Sequence, residues 1–251
     1  MSKHKIHFRP WCIPALTVLL ALSGIAGAAS LQVAPTSVVL DPGENAEALW
    51  LSNTDPQAPV RAQVRLYRWT QENGEDKLEP TRDLAISPPM VELAAGARQL
   101  VRVVRTGASP EGAEASYRII VDEVPPADGE AQSGLQFLLR YSLPVFVTPT
   151  DANGPISHEL AARMETRDGK PTLVVHNSGR QHAQLADLAW VDGGGARVEL
   201  MQGLVGYVLP GQTMAWPLDQ PASRFANGGG FKARINGEAA EQSLALAAPG
   251  R

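Results

Sequence analysis

Apolar and polar residues alternate from Val60 through Arg61, Ala62, Gln63, Val64 and Arg65 to Leu66. That is the period of a half-buried β-strand. Similar short runs predict strands at 30–33, 37–40, 46–52, 98–105, 117–124, 135–147, 172–176, 184–191, 197–201, 213–217 and 230–235. Turn signals separate them: Asp41-Pro42-Gly43, Asn73-Gly74, Asp168-Gly169, Gly193-Gly194-Gly195, Pro210-Gly211 and Gly228-Gly229-Gly230. No stretch sustains a 3.6-residue period. Many short strands at regular spacing predict an all-β chain of two immunoglobulin-like β-sandwich domains.

The segment from Thr148 to Pro155 has two prolines, a glycine and no apolar residue larger than alanine. It is the natural boundary. The expected organisation is a signal peptide at 1–28, an N-terminal domain at 29–149 and a C-terminal domain at 150–251. The signal is read from Lys3, Lys5 and Arg9, then an apolar run from Trp11 to Leu22, then Ala26-Gly27-Ala28 as the small-x-small cleavage site. Export across the inner membrane to the periplasm follows.

Cys12, the only cysteine, lies inside that signal, so the exported domains must be held by their cores without a disulfide. The whole chain carries −4; without the three leading cations, 19 Lys and Arg face 26 Asp and Glu, a net of −7. A mildly acidic body argues against a nucleic-acid partner.

The run 135–147 is unusual. Leu135, Phe137, Leu139, Tyr141, Leu143, Val145 and Val147 are all apolar or aromatic, while Gln136, Arg140 and Ser142 fall between them. One face is greasy for longer than an average strand requires. Pro144 cannot donate to a ladder, which places the strand at an edge or a bulge. Two readings stand on the residues alone: a core strand packed inside its own sandwich, or an edge strand that adds itself to another protein's sheet.

Three blocks resemble the pilus (fimbrial) periplasmic chaperone family, with further similarity to its non-classical branch. They are Ser87-Pro88-Pro89-Met90 followed by 97–103, Ser116 to Pro126, and Leu135 to Pro149. The runs 173–179 and 207–211 in the second domain are similar as well. The resemblance implies a non-enzymatic chaperone. It would bind pilus subunits by donor-strand complementation and deliver them to an outer-membrane usher. No cofactor, metal or small-molecule substrate is implied, and self-association through the donor edge joins the expected partners.

Carried over by residue, the donors are Leu135, Phe137, Leu139 and Tyr141, with Leu143 and beyond turned inward. An exported two-domain adhesin or binding module of the same fold is the alternative reading.

The resemblance also implies two domains arranged with a cleft between them, where classical members anchor the subunit's terminal carboxylate with one basic residue on the first strand and one on the donor strand. Here Pro35-Thr36-Ser37-Val38 has no cation and the donor-strand position is Ser142 or Pro144. Folding the preceding hairpin about Gly129–Ser133 sets Arg118 roughly opposite Ser142, at the cleft end. Arg118 is therefore the main anchor candidate and Arg140 the second, since a guanidinium clamps a carboxylate through parallel hydrogen bonds. An internal salt bridge from Arg118 to Asp122 or Glu123, and a solvated Arg140, are the competing readings.

Other constellations carry less. His158-Glu159-Leu160-Ala161-Ala162 lacks the second histidine of a zinc protease. His176 and His182 flank a predicted turn and read as surface residues. The glycine triplets are followed by no Gly-Lys-Ser/Thr and read as hairpin tips. Trp50, Trp69, Trp190 and Trp216 read as packing residues.

Overall fold

The computed structural model describes residues 30–125, 137–150, 156–226 and 228–246. The expected signal, and donor residue Leu135, lie outside them. The first domain has ten strands: β1 (Leu31–Ala34), β2 (Val38–Leu40), β3 (Ala46–Asn53), β4 (Val60–Glu72), β5 (Glu75–Pro80), β6 (Leu84–Ser87), β7 (Met90–Leu93), β8 (Arg98–Arg105), β9 (Ala115–Val124) and β10 (Arg140–Val147). One sheet runs β1-β3-β8-β6, the other β2-β10-β9-β4-β5, with β7 also on β4. The first strand thus divides between the two sheets at Pro35, whose lack of an N–H suits a break in a ladder.

The second domain follows with β11 (Leu160–Arg167), β12 (Lys170–Asn177), β13 (Ala183–Asp192), β14 (Arg197–Val208), β15 (Thr213–Pro217), β16 (Gly229–Ile235), β17 (Glu241–Ser243) and β18 (Ala245–Leu246). Its sheets run β15-β12-β11-β18 and β14-β13-β16-β17.

Alternation explains the packing. On β4, Val60, Ala62 and Val64 point into the first core with Ile119 and Val121 of β9 and Leu143, Val145 and Val147 of β10. The second core gathers Leu173, Leu185, Trp190, Phe231 and Ile235. Each fully buried side chain of this size stabilises by about 1.5–3 kcal/mol.

Several strands have no apolar period. No position of β5 is buried, and Glu75, Asp76, Lys77 and Glu79 lie along it. Charge of this kind keeps an edge strand soluble. It forms because Asn73 (φ 57°) and Gly74 (φ 85°) turn the chain back onto β4. β11 is built from helix-favouring residues, Leu-Ala-Ala-Arg-Met-Glu-Thr-Arg, yet pairs along its whole length with β12. Tertiary pairing overrides local propensity there.

Gly228–Gly230 is not a hairpin tip. Gly229 and Gly230 open β16, and a Cβ on Gly229 would sit 2.4 Å from the Val191 carbonyl and 2.5 Å from the Trp190 ring. A close backbone approach, not a turn, requires glycine there.

Candidate functional site

The candidate site joins an open strand edge to the cleft between the domains. β10 pairs with β9 from Arg140↔Asp122 to Val147↔Ala115, and on its other side with β2 only at Val145–Val147. From Phe137 to Pro144, then, one side of the strand has no ladder partner among the described residues. The pairing with β9 continues beyond the strand's formal start, since the Glu123 N–H donates to the Leu139 carbonyl at 2.9 Å.

Phe137 is 70 % exposed and Leu138 51 %. Leu139 and Tyr141 are half-buried and lean on the first core, while Leu143, Val145 and Val147 are buried in it. The Tyr141 hydroxyl donates to the Leu31 carbonyl across the sandwich at 2.5 Å. The odd-numbered face therefore grades from open at Phe137 to closed at Leu143.

The even-numbered face of β10 leads to the cleft. Phe146 (β10) and Trp69 (β4) meet Tyr207 (β14) and Leu209 of the second domain in a separate buried cluster. Trp69 stands edge-on to Tyr207 at 5.3 Å between centroids, and His182 lies flat on Phe146 at 3.6 Å.

Polar contacts fasten the same joint. Gln71, 3 % exposed, donates through Nε2 to the Tyr207 carbonyl (2.8 Å) and to Asp76 Oδ1 (2.9 Å), and its Oε1 accepts from the Leu209 N–H (3.0 Å). His182 Nδ1 lies 2.8 Å from Glu114 Oε1, and the Glu114 N–H donates to the Arg180 carbonyl at 2.9 Å. The β4–β5 hairpin tip reaches β15, where the Ala215 N–H donates to the Gly74 carbonyl at 3.3 Å. His182 is thus part of the domain joint rather than a surface residue.

Arg118 sits in this corner. Its guanidinium lies 3.7 Å from the Trp69 ring centroid and 5.2 Å from that of Tyr207. Two corrections follow. Arg118 pairs with Pro144, and Ile120 is the residue opposite Ser142. The observed register lies two positions from that expectation, which preserves parity. Nor does Arg118 bridge to Asp122 or Glu123: among the described residues it makes no ion pair within 4 Å. Burial lowers its pKa from the ordinary arginine value, opposed by the nearby Asp76 carboxylate and the Tyr207 phenol. A half-buried cation with no ion-pair partner in contact favours an incoming anion.

Arg140 is different. Its Nε bonds Asp122 Oδ1, while Arg65 Nη2 bonds Asp122 Oδ2. Its guanidinium is largely exposed but already paired, not simply solvated. Among the described residues, no group of three His, Cys, Asp or Glu side chains could hold a metal ion.

The joint residues escaped the sequence reading, although a signal was present. Trp69 is an apolar residue on the polar parity of β4, and Phe146 is one on the polar parity of β10.

Comparison with known proteins adds a family. Residues 30–153 match the family model described as pili and flagellar-assembly chaperone, PapD N-terminal domain. The chaperone protein PmfD of Proteus mirabilis is 31 % identical over 137 residues, covering 53 % of this chain and 51 % of that one. The chaperone protein PapD of Escherichia coli is 29 % identical over 134 residues, covering 52 % and 53 %. The chain thus spans about half the length of these curated relatives.

Among solved structures, a chain of the CsuC–CsuE chaperone–tip adhesion subunit pre-assembly complex of Acinetobacter baumannii superposes with a TM-score of 0.70 at 24 % identity, covering 87 % of this chain and 98 % of that one. The Salmonella enterica SafA pilin–SafB chaperone complex gives a TM-score of 0.59 at 20 % identity, covering 86 % and 96 %. At these identities the structural likeness speaks for the two-domain immunoglobulin-like fold.

Proposed function

We propose, for a chain that belongs through its first domain to the non-enzymatic family of pilus-assembly chaperones, that it captures pilus subunits in the periplasm and passes them to an outer-membrane usher. The observation that carries this is the open, apolar edge from Phe137 to Pro144, which continues into the interdomain cleft. An exposed greasy edge is an aggregation hazard for a free-standing domain and an asset for a protein that completes another's sheet.

In this reading Leu135, Phe137, Leu139 and Tyr141 fill the groove of a subunit that lacks its last strand. Leu139 and Tyr141 already touch the first core, so the subunit's core continues it. The strand's main-chain groups supply affinity and the alternation supplies register. Arg118, at the cleft end, clamps the subunit's terminal carboxylate; Arg140, tied to Asp122, is the weaker candidate. The Csu pili of the Acinetobacter baumannii neighbour are of a chaperone-usher system, which supports the delivery step by likeness of fold.

Co-expression with a pilus subunit tests this. The parent chain is expected to co-purify with the subunit, and a Phe137→Asp, Leu139→Asp variant that melts normally is expected not to. Normal capture by that variant sinks the donor-strand reading.

A further inference from the structure

We propose that the Trp69 ring and, from the second domain, the Tyr207 ring are positioning residues for Arg118, so that the terminal carboxylate is gripped only while the two domains are docked. This rests on Arg118 being the anchor. A guanidinium has two kinds of surface. Its flat faces interact with aromatic rings, and its edge carries five N–H donors in one plane. Arg118 lies over the Trp69 ring (3.7 Å), and the Tyr207 ring, edge-on to Trp69, closes a second side of it (5.2 Å). The edge is left for a planar, bidentate acceptor.

The two rings are themselves fixed. Trp69, 2 % exposed, packs on Phe146 and edge-on against Tyr207. The Tyr207 hydroxyl accepts from Gln184 Nε2 at 2.8 Å, and its carbonyl accepts from Gln71. A free arginine side chain otherwise samples many rotamers. Packing against the two rings removes much of that freedom before the ligand arrives, which is preorganisation. One of the rings comes from each domain, so separating the domains dismantles the clamp and returns Arg118 to many rotamers. The donor edge lies wholly in the first domain and does not depend on the joint. Anchor and edge are therefore separable.

The test uses the full chain and two fluorescent peptides of about 16 residues with alternating apolar positions. They are identical except that one ends in a free carboxylate and the other in an amide. The readout is the ratio of their dissociation constants on one protein, in which any inactive fraction cancels.

The parent is expected to favour the carboxylate by about tenfold. Arg118→Ala, Trp69→Leu and Tyr207→Leu are expected to bring the ratio close to one, and Tyr207→Phe, which keeps the ring, to preserve it. Equal binding of the two peptides by the parent, or binding of neither, overturns the anchor and this inference with it. A ratio lost in Arg118→Ala but kept in Trp69→Leu and Tyr207→Leu leaves the anchor standing and overturns the positioning role.

Discussion

Gln71 offers a sharp perturbation because its side chain belongs to one domain and two of its three partners to the other. It is 3 % exposed and makes three hydrogen bonds, two of them to the backbone of Tyr207 and Leu209. Gln71→Ala strips a partner from a buried carbonyl and a buried N–H. Leaving such a group unsatisfied costs about 1–3 kcal/mol. With part of that recovered as side-chain freedom, the docked joint is expected to weaken by about 2–4 kcal/mol.

The loss falls on docking, since no core contact of either sandwich is removed. The assay is a pair of spin labels at Gln99→Cys in the first domain and Glu238→Cys in the second, both exposed positions. The parent should give one narrow interlabel distance. Gln71→Ala should broaden it, and calorimetry should resolve two domain transitions where the parent shows a more cooperative one. An unchanged distance distribution with an unchanged melting profile refutes the idea that the Gln71 amide holds the joint.

The hairpin tip should be as sensitive. A Cβ at Gly74 would lie 2.7 Å from the Ala215 Cβ, and its φ of 85° resists side chains, so Gly74→Val should broaden the same distance distribution while leaving far-UV circular dichroism intact. Asp122 gives a pH-linked prediction. Burial pushes its carboxyl up, but hydrogen bonds from Arg140 and Arg65 outweigh that and hold it below its ordinary 3.8. A depressed folded value stabilises above the unfolded value and loses effect as pH falls through the folded one. Asp122→Asn should therefore cost about 1 kcal/mol near neutral pH, and the difference in melting temperature from the parent should shrink as pH drops below 3.8. A gap that persists at pH 2 counts against the ion pairs as its source.

Much of the fold was legible because its physics is local. Alternation along Val60–Leu66 and the greasy parity of Leu143, Val145 and Val147 both read directly as strands with a buried face. What escaped lacks a local cause. β5 is charged on nearly every residue and exists through its turn and its partner, and β11 looks like a helix until β12 pairs with it. The site divides the same way. The donor edge is a property of one strand, whereas the clamp around Arg118 requires Trp69 and Tyr207, 138 positions apart in the chain, to meet across a joint. The β9–β10 register was missed by two positions, enough to exchange Ser142 for Pro144 opposite Arg118 while keeping every side chain on its expected face. The remaining clue, apolar residues on polar parity at Trp69 and Phe146, marks a second buried face but does not name what covers it.

Hydrogen–deuterium exchange on the free protein and on a captured subunit complex tests the central claim most directly. The account predicts that new protection on β10 falls on the open stretch from Leu138 to Leu143, with Val145–Val147, already paired with β2, little changed. Protection that appears elsewhere in the first domain and leaves 138–143 exchanging as in the free protein would contradict it.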